Sequence, residues 1–480
     1  MISEVIDNKI QIDIDRARFG GSIKAIASKS HAHRLLIAAA LSDEPELFIE
    51  CSESSQDIEA TASCLNSLGA EIVRVENGYK VKPISQGNSP KTAVDSTASG
   101  SLESDTVSKN SISCMDAGES GSTLRFLLPI IGVLGVSAEI TTHGRLSARP
   151  LSPLYEEMQR SGVTLSPQGS NPLTLSGRMD GGVFTIAGNI SSQYITGLLF
   201  ALPLAEKDSE IRVTGELASR PYIDITLDVL RQAGIVIEEV YPDNAVPTLT
   251  DASSSSTDIN TQSLDGASDI SVIFRIKGAQ KYRLPSHCTV EGDWSNAAFF
   301  LTAGAVGQNP VTVRQLNMNS KQGDMKILEL LSQFGAKIDI SQSALSDVTV
   351  TPAPLHGIEI DAENIPDLVP ILSLTASVAE GTTIIRNIER LRIKESDRVA
   401  TVIDTLTRLG ADVCEEDRCL KITGKASLEG GSVDSYNDHR IAMTAAIAAI
   451  CSEGTVEIET PMAVRKSYPG FYEDLAKLSE

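Results

Sequence analysis

Several short stretches of the chain combine hydroxyl, amide and cationic side chains at spacings that suit the binding of an anion. Lys29, Ser30 and Arg34 lie in SKSHAHR, and Ser120, Gly121, Ser122 and Arg125 follow Glu119 in GESGSTLR. Ser191, Ser192 and Gln193 open SSQYITGLL, and His439 with Arg440 follows Asp438 in NDHRIAM. Each leads into a strongly apolar run. A helix beginning there aims free N–H groups and its positive dipole end at the polar turn. Cations added to that end are unfavourable unless an anion sits among them. Ser, Asp and Asn also cap helices in the ordinary way, and for Asp293 and Ser295 in GDWSNAAFF capping is a sufficient reading. Asp367, after Ile-Pro, reads by default as a cap, with a base as the alternative.

The run NIERLRIKESDR, 387–398, interleaves Arg390, Arg392, Lys394 and Arg398 with Glu395 and Asp397. Such runs ordinarily form a solvated helix face with i,i+4 pairs. Beside bound anions, a carboxylate set between Lys and Arg serves as a general acid or base. Arg465 and Lys466 in VRKSYPGFY read as surface charge. GESGST lacks the Lys of a Walker A loop, and G-x-S-x-G, H-E-x-x-H and EF-hand patterns are absent. Cys414 and Cys419 are too isolated for a zinc site. Neither a metal nor a cofactor is expected.

These turns need elements to hold them, and the sequence repeats two. One is an apolar helix with a polar opening, anchored at Ser30, Ser120, Ser192, Asp293, Asp367 and Asp438. The other is an amphipathic helix ending at Gly69, Gly162, Gly234, Gly335 or Gly410, followed by a β-branched strand. Glycine fits the left-handed position just past a helix. The intervals between these glycines alternate: long from Gly69 to Gly162, short to Gly234, long to Gly335 and short again to Gly410. The two long intervals contain Ser-rich segments of equal length, 85–113 with nine Ser and 243–271 with seven. Too poor in large apolar residues to fold on their own, they read as surface insertions into an otherwise regular repeat. Six such units suit two α/β domains of three units each.

The 480 residues exceed what one core usually serves. A net charge of −22 with 4% aromatic residues excludes nucleic acid and anionic membrane surfaces as partners. No apolar run is long enough to span a bilayer. Seven cysteines without a C-x-x-C pair or a signal peptide point to reduced thiols in the cytoplasm.

SKSHAHR, GESGSTLRF, ARPLSPL, SSQYITGLL, SRPYIDITL, VEGDWSNAAFF, NIPDLVP, LRIKESDR, YNDHRIAM and RKSYPGFY occur in one order over nearly the whole chain. In this the sequence resembles the 3-phosphoshikimate 1-carboxyvinyltransferase, or EPSP synthase, family. The resemblance implies two inside-out α/β domains of three βαβαββ units each, closing over substrate. Residues 1–26 with 290–480 would form one domain and 27–289 the other. It implies transfer of the enolpyruvyl group of phosphoenolpyruvate to the 5-hydroxyl of shikimate 3-phosphate. By motif match, Lys29, Ser30, Arg34, Ser191, Ser192, Gln193, Ser219, Asp367 and Lys394 would bind shikimate 3-phosphate. Lys29, Gly121, Arg149, Gln193, Arg398, Arg440 and Lys466 would bind phosphoenolpyruvate. Asp367 would take the hydroxyl proton, with Glu395, Lys29 and Lys466 assisting, and a monomer is expected. Glu119 and Arg390 depart from the family, each standing where an Asn is found in some members. The rival readings are the sister enzyme that uses UDP-N-acetylglucosamine as acceptor, and a non-catalytic six-repeat scaffold.

Overall fold

The computed structural model describes residues 2–84, 112–242 and 269–479. The Ser-rich segments assigned to 85–113 and 243–271 therefore lie outside the described residues, except at their C-terminal ends. There Ser113 opens the strand Ser113–Asp116 and Ile270 opens Ile270–Ile276.

Both repeated helix types form as the sequence predicts. The five glycines that end amphipathic helices all have positive φ, from 74° at Gly234 to 115° at Gly335. At Gly335 a Cβ would also lie 2.6 Å from the Pro354 carbonyl oxygen, so the position is closed to side chains twice over. The apolar helices run Lys29–Ala40, Gly121–Leu134, Ser192–Ala201, Trp294–Val306, Val369–Ser377 and His439–Ala448. They are buried on nearly every side, which is why their sequences show no polar stripe.

Each apolar helix leads into a strand. In one unit the sheet order is 113–116, 138–141, 173–177, 163–165, the first pair parallel and the others antiparallel. Four further sheets repeat that order and those directions. The sixth has three strands: Gly431–Asp434 parallel to Val456–Glu459, which pairs antiparallel with Lys9–Ile12. Strands alternate buried and half-buried positions, as in Ser209–Thr214, because one face of each sheet covers helices.

Two hydrophobic cores result. One gathers residues between Ile10 and Ile26 with residues from Trp294 to Leu478, and the other runs from Ala27 to Val290. Two edge strands are exchanged in sequence order. Gly21–Lys24 pairs with Val311–Arg314, and His287–Thr289 pairs with Leu47–Glu50. The chain therefore passes between the cores twice, side by side. Ser28 N–H donates to the Glu291 carbonyl (2.8 Å) and Asp293 N–H to the Ile26 carbonyl (2.9 Å).

Candidate active site

The polar openings of the apolar helices converge where the two cores face each other. Ser120 caps the helix Gly121–Leu134 by accepting from Thr123 N–H, and Asp438 caps His439–Ala448 by accepting from Arg440 N–H at 2.9 Å. Ser191 accepts from Gln193 N–H at 3.3 Å. In the first helix the cap is Ser28, so Ser30 is released to face the cavity. Asp293 is a cap, as read from the sequence, and it also accepts from Lys29 N–H at 3.0 Å, tying the two chain crossings together. Asp367 is not a cap: Leu368 precedes Val369–Ser377, and no side chain closes that end.

A narrow cavity of about 100 Å3 lies between the openings. Of the fifteen residues named from the sequence, thirteen line it: Lys29, Ser30, Arg34, Arg149, Ser191, Ser192, Gln193, Ser219, Asp367, Lys394, Glu395, Arg398 and Arg440. Gly121 and Lys466 do not. Gly121 lies behind the wall, where a Cβ would sit 2.8 Å from an Arg149 guanidinium nitrogen. Lys466 is buried to one side, its Nζ 2.8 Å from Glu119 Oε2 and 2.6 Å from the Asn437 carbonyl.

The charge balance of this cavity is the reverse of the chain's. Eight Lys and Arg side chains line it against three carboxylates, in a protein of net charge −22. Arg34, Arg125 and Arg390 have no carboxylate partner among the described residues. Arg34 is satisfied by Thr226 Oγ1 (2.8 Å), the Tyr222 carbonyl (2.8 Å) and the Ser30 carbonyl (2.6 Å), and rests on the Phe126 ring. Burial pushes its guanidinium down to about 9. Arg125, buried beside Arg149, is pushed down to about 10. Arg390 donates to Ser219 Oγ at 2.7 Å. Nε and Nη1 of Arg440, Nε of Arg125, Arg149 and Arg390, and both ring nitrogens of His439 are buried without a hydrogen-bond partner. Guanidinium N–H groups buried in this state mark a site built for an acceptor-rich anion.

Asp367 is the hub. Its carboxylate accepts from Arg398 Nη1 (2.7 Å), the Tyr222 hydroxyl (2.8 Å) and Arg440 Nη2 (3.2 Å), with Lys394 Nζ at 3.6 Å. Burial alone would raise its proton affinity. Arg440, Lys394 and Arg398 outweigh burial and hold it well below the usual carboxylate range. Glu395 is in the same state: burial opposes ionisation, and Arg398 at 2.8 Å with Arg149 overrides it. Arg398, only 1% exposed, also binds Asp438 at 2.8 Å and is raised well above its ordinary value, its three carboxylates outweighing burial. The 387–398 run is thus no solvated face with i,i+4 pairs; its exposed charges pair at other spacings, Arg392 with Asp397 and Glu415, and Glu389 with Arg418. Among the described residues no group of three His, Cys, Asp or Glu is placed to hold a metal.

Sequence reasoning missed Tyr222, which reaches Asp367 from the other core. The signal was its place in the first turn after Arg220-Pro221 in SRPYIDITL. Arg125, a cation to which the sequence assigns no substrate, fixes Gln193 by donating to Oε1 at 3.1 Å.

Comparison with known proteins agrees with this geometry. The family model described as EPSP synthase (3-phosphoshikimate 1-carboxyvinyltransferase) matches residues 15–248 and 265–475. A 3-phosphoshikimate 1-carboxyvinyltransferase of Clostridium acetobutylicum is 41% identical over 461 residues, 95% of each chain. One from Clostridium kluyveri is 38% identical over 469 residues, 97% of each. In fold, the chain is similar to an EPSP synthase of Acinetobacter baumannii, with a TM-score of 0.74 and 21% identity over 98% of each chain. It is also similar to the enolpyruvyl transferase NikO of Streptomyces tendae, with a TM-score of 0.68 and 18% identity over 98% of this chain and 96% of that one. With a family match along most of its length and such relatives over nearly all of it, the chain belongs to the EPSP synthase family, and its six-unit α/β architecture is the enolpyruvyl transferase fold.

Proposed function

We propose that the protein transfers the enolpyruvyl group of phosphoenolpyruvate to the 5-hydroxyl of shikimate 3-phosphate, releasing phosphate, as a step towards chorismate and the aromatic amino acids. The observation that carries this reading is the excess of buried, partly unpartnered cations around two carboxylates, between cores that already touch across the cavity. Both substrates are phosphorylated carboxylates, the ligand class such a cavity demands. Lys29, Ser30, Arg34, Ser191, Ser192, Gln193, Ser219 and Lys394 would hold the acceptor, and Gly121, Arg149, Arg398, Arg440 and Lys466 the donor, with Lys29 and Gln193 reaching both. The domains would be residues 1–26 with 290–480, and 27–289, in keeping with the two cores.

In the reaction, Asp367 takes the proton of the 5-hydroxyl as its oxygen attacks the enol carbon. The methylene carbon is protonated in the same addition, with Glu395 assisting from the cavity wall and Lys466 once it is released from Glu119. Loss of that proton and departure of phosphate from the tetrahedral adduct restore the double bond. In the ligand-free site Asp367 is too acidic for a good base, because cations surround it. Substrate anions neutralise those cations and lift its proton affinity towards the working range, so the base is armed only when the site is filled. Closure of the cores would exclude water and strengthen each contact.

Phosphate release from phosphoenolpyruvate, with and without shikimate 3-phosphate, tests the assignment. Release that depends on the shikimate ester supports it; release only with UDP-N-acetylglucosamine moves the chain to the sister activity, and none with either leaves the scaffold reading. Sister enzymes usually carry a reactive Cys, sometimes an Asp, on a loop between basic residues, whereas Cys114 lies within the strand Ser113–Asp116, which favours the shikimate ester as acceptor. The seven cysteines form no disulfide, and no helix among the described residues is long and apolar enough to cross a membrane, which supports action in the cytoplasm. A monomer is the proposed state, to be checked by light scattering.

A further inference from the structure

Glu119 makes a contact that the reaction does not require. Its Oε2 accepts from Lys466 Nζ at 2.8 Å, and Asn437 Nδ2 donates to Oε1 at 3.0 Å and Oε2 at 3.1 Å. Glu119 comes from the core formed by Ala27–Val290; Asn437 and Lys466 come from the other, 318 and 347 residues away. The neighbourhood is shaped for it. Tyr436 and Asn437 both hold left-handed φ, 54° and 53°, a costly conformation for two successive residues with side chains, and this turn delivers the Asn437 amide. Opposite, Gly144 has φ 54°, and a Cβ there would lie 2.5 Å from Glu119 Oε2. The Lys466 side chain is 6% exposed, and Glu119 is the only carboxylate within ion-pair distance of it among the described residues.

We propose that Glu119 is an affinity-setting residue for the donor: an internal carboxylate that occupies Lys466, ties the two cores together in the ligand-free protein, and competes with the anionic groups of phosphoenolpyruvate. This rests on the reading of Lys466 as a donor cation. A buried ammonium deprived of its carboxylate attracts an incoming anion more strongly. The donor binds only to the fraction of molecules in which Lys466 has been released, so its apparent affinity is reduced by that fraction. Among the described residues none of the acceptor's ligands hydrogen-bonds or ion-pairs with Glu119 or Lys466, so the exchange leaves them in place.

The test is steady-state phosphate release by wild type, Glu119→Gln, Glu119→Asp and Lys466→Ala, with thermal melts of each. Glu119→Gln keeps shape and the amide contact but removes the charge. It should lower KM for phosphoenolpyruvate about three- to tenfold, with kcat and KM for shikimate 3-phosphate within about twofold. Glu119→Asp, which retains the charge, should stay close to wild type. An unchanged or raised KM for phosphoenolpyruvate in a folded Glu119→Gln overturns the proposal, as does an equal change in both KM values, which a merely structural loss would give. Should Glu119→Gln fail to fold, Asn437→Ala carries the same expectation in smaller measure, and an unchanged donor KM in it counts equally against the idea. Lys466→Ala separates the two levels. Wild-type donor kinetics there remove the reading of Lys466 and this inference with it, whereas lost donor affinity there with no change in Glu119→Gln removes the inference alone.

Discussion

Asp367 gathers Arg398, Arg440, Lys394 and Tyr222 from distant points in the chain, Tyr222 from as far as 145 residues away. None of these neighbours could be known from the dipeptide before it, so its own surroundings in the sequence favour a cap and leave a base as the alternative. The structure removes the cap. Asp367→Asn keeps the shape while removing the proposed base, and kcat should fall by about 10²–10⁴-fold with the melting temperature little changed when substrates are bound. A folded variant with wild-type kcat would remove Asp367 from the chemistry. Asp324 yields a second prediction. It is buried, receives a hydrogen bond from Ser295, and is pushed up to about 6 by burial and then by Asp367. An unfolded Asp titrates near about 3.9. Between about pH 4 and 6 this carboxyl therefore holds more proton in the native state than in the unfolded one, and its contribution to stability falls as pH rises through that window. Asp324→Asn should flatten that fall, raising the melting temperature relative to wild type above about pH 6 and giving no gain below about pH 4.

The elements were the most legible level. Six apolar helices and five glycine-terminated ones follow from patterning alone, because full burial and a left-handed terminus each leave a compositional mark. Cap identity was less legible: Ser28, just before the anchoring Ser30, closes the first helix, since only the backbone decides which hydroxyl meets the free N–H groups. The glycine argument can be tested away from the cavity. Gly335→Ala places a Cβ at φ 115° and 2.6 Å from the Pro354 carbonyl oxygen. It should cost about 1–3 kcal/mol of stability in chemical denaturation and leave both KM values unchanged. A neutral effect on stability would mean that the helix end relaxes freely.

Across the whole molecule, the acidic total and the basic cavity act in opposite directions on an incoming anion. The surface repels phosphoenolpyruvate and shikimate 3-phosphate at long range, while eight cations attract them at short range. Added salt screens the first interaction within a Debye length and reaches the buried second far less. The KM values should therefore change by less than about threefold between about 0.05 and 0.5 M sodium chloride; a steep rise would mean that the cations are read through solvent. What the sequence could not disclose is which strand completes which sheet. A repeated unit of helices and strands implies a local sheet, yet three units take an edge strand from across the chain, because the closest vacant edge in space is not the closest in sequence.

That exchange of edge strands orders events during synthesis. Gly21–Lys24 leaves the ribosome early but meets Val311–Arg314 only about 290 residues later, a delay of roughly 15–60 s at about 5–20 residues per second. Lys9–Ile12 waits longer still, for Val456–Glu459. The core between Ala27 and Val290 is uninterrupted by the other and can be complete before its companion has half its chain. The first two dozen residues must then wait beside a finished globule without their partner strands, and Lys9, Asp13, Asp15, Arg16, Arg18 and Lys24 keep that stretch charged while it waits.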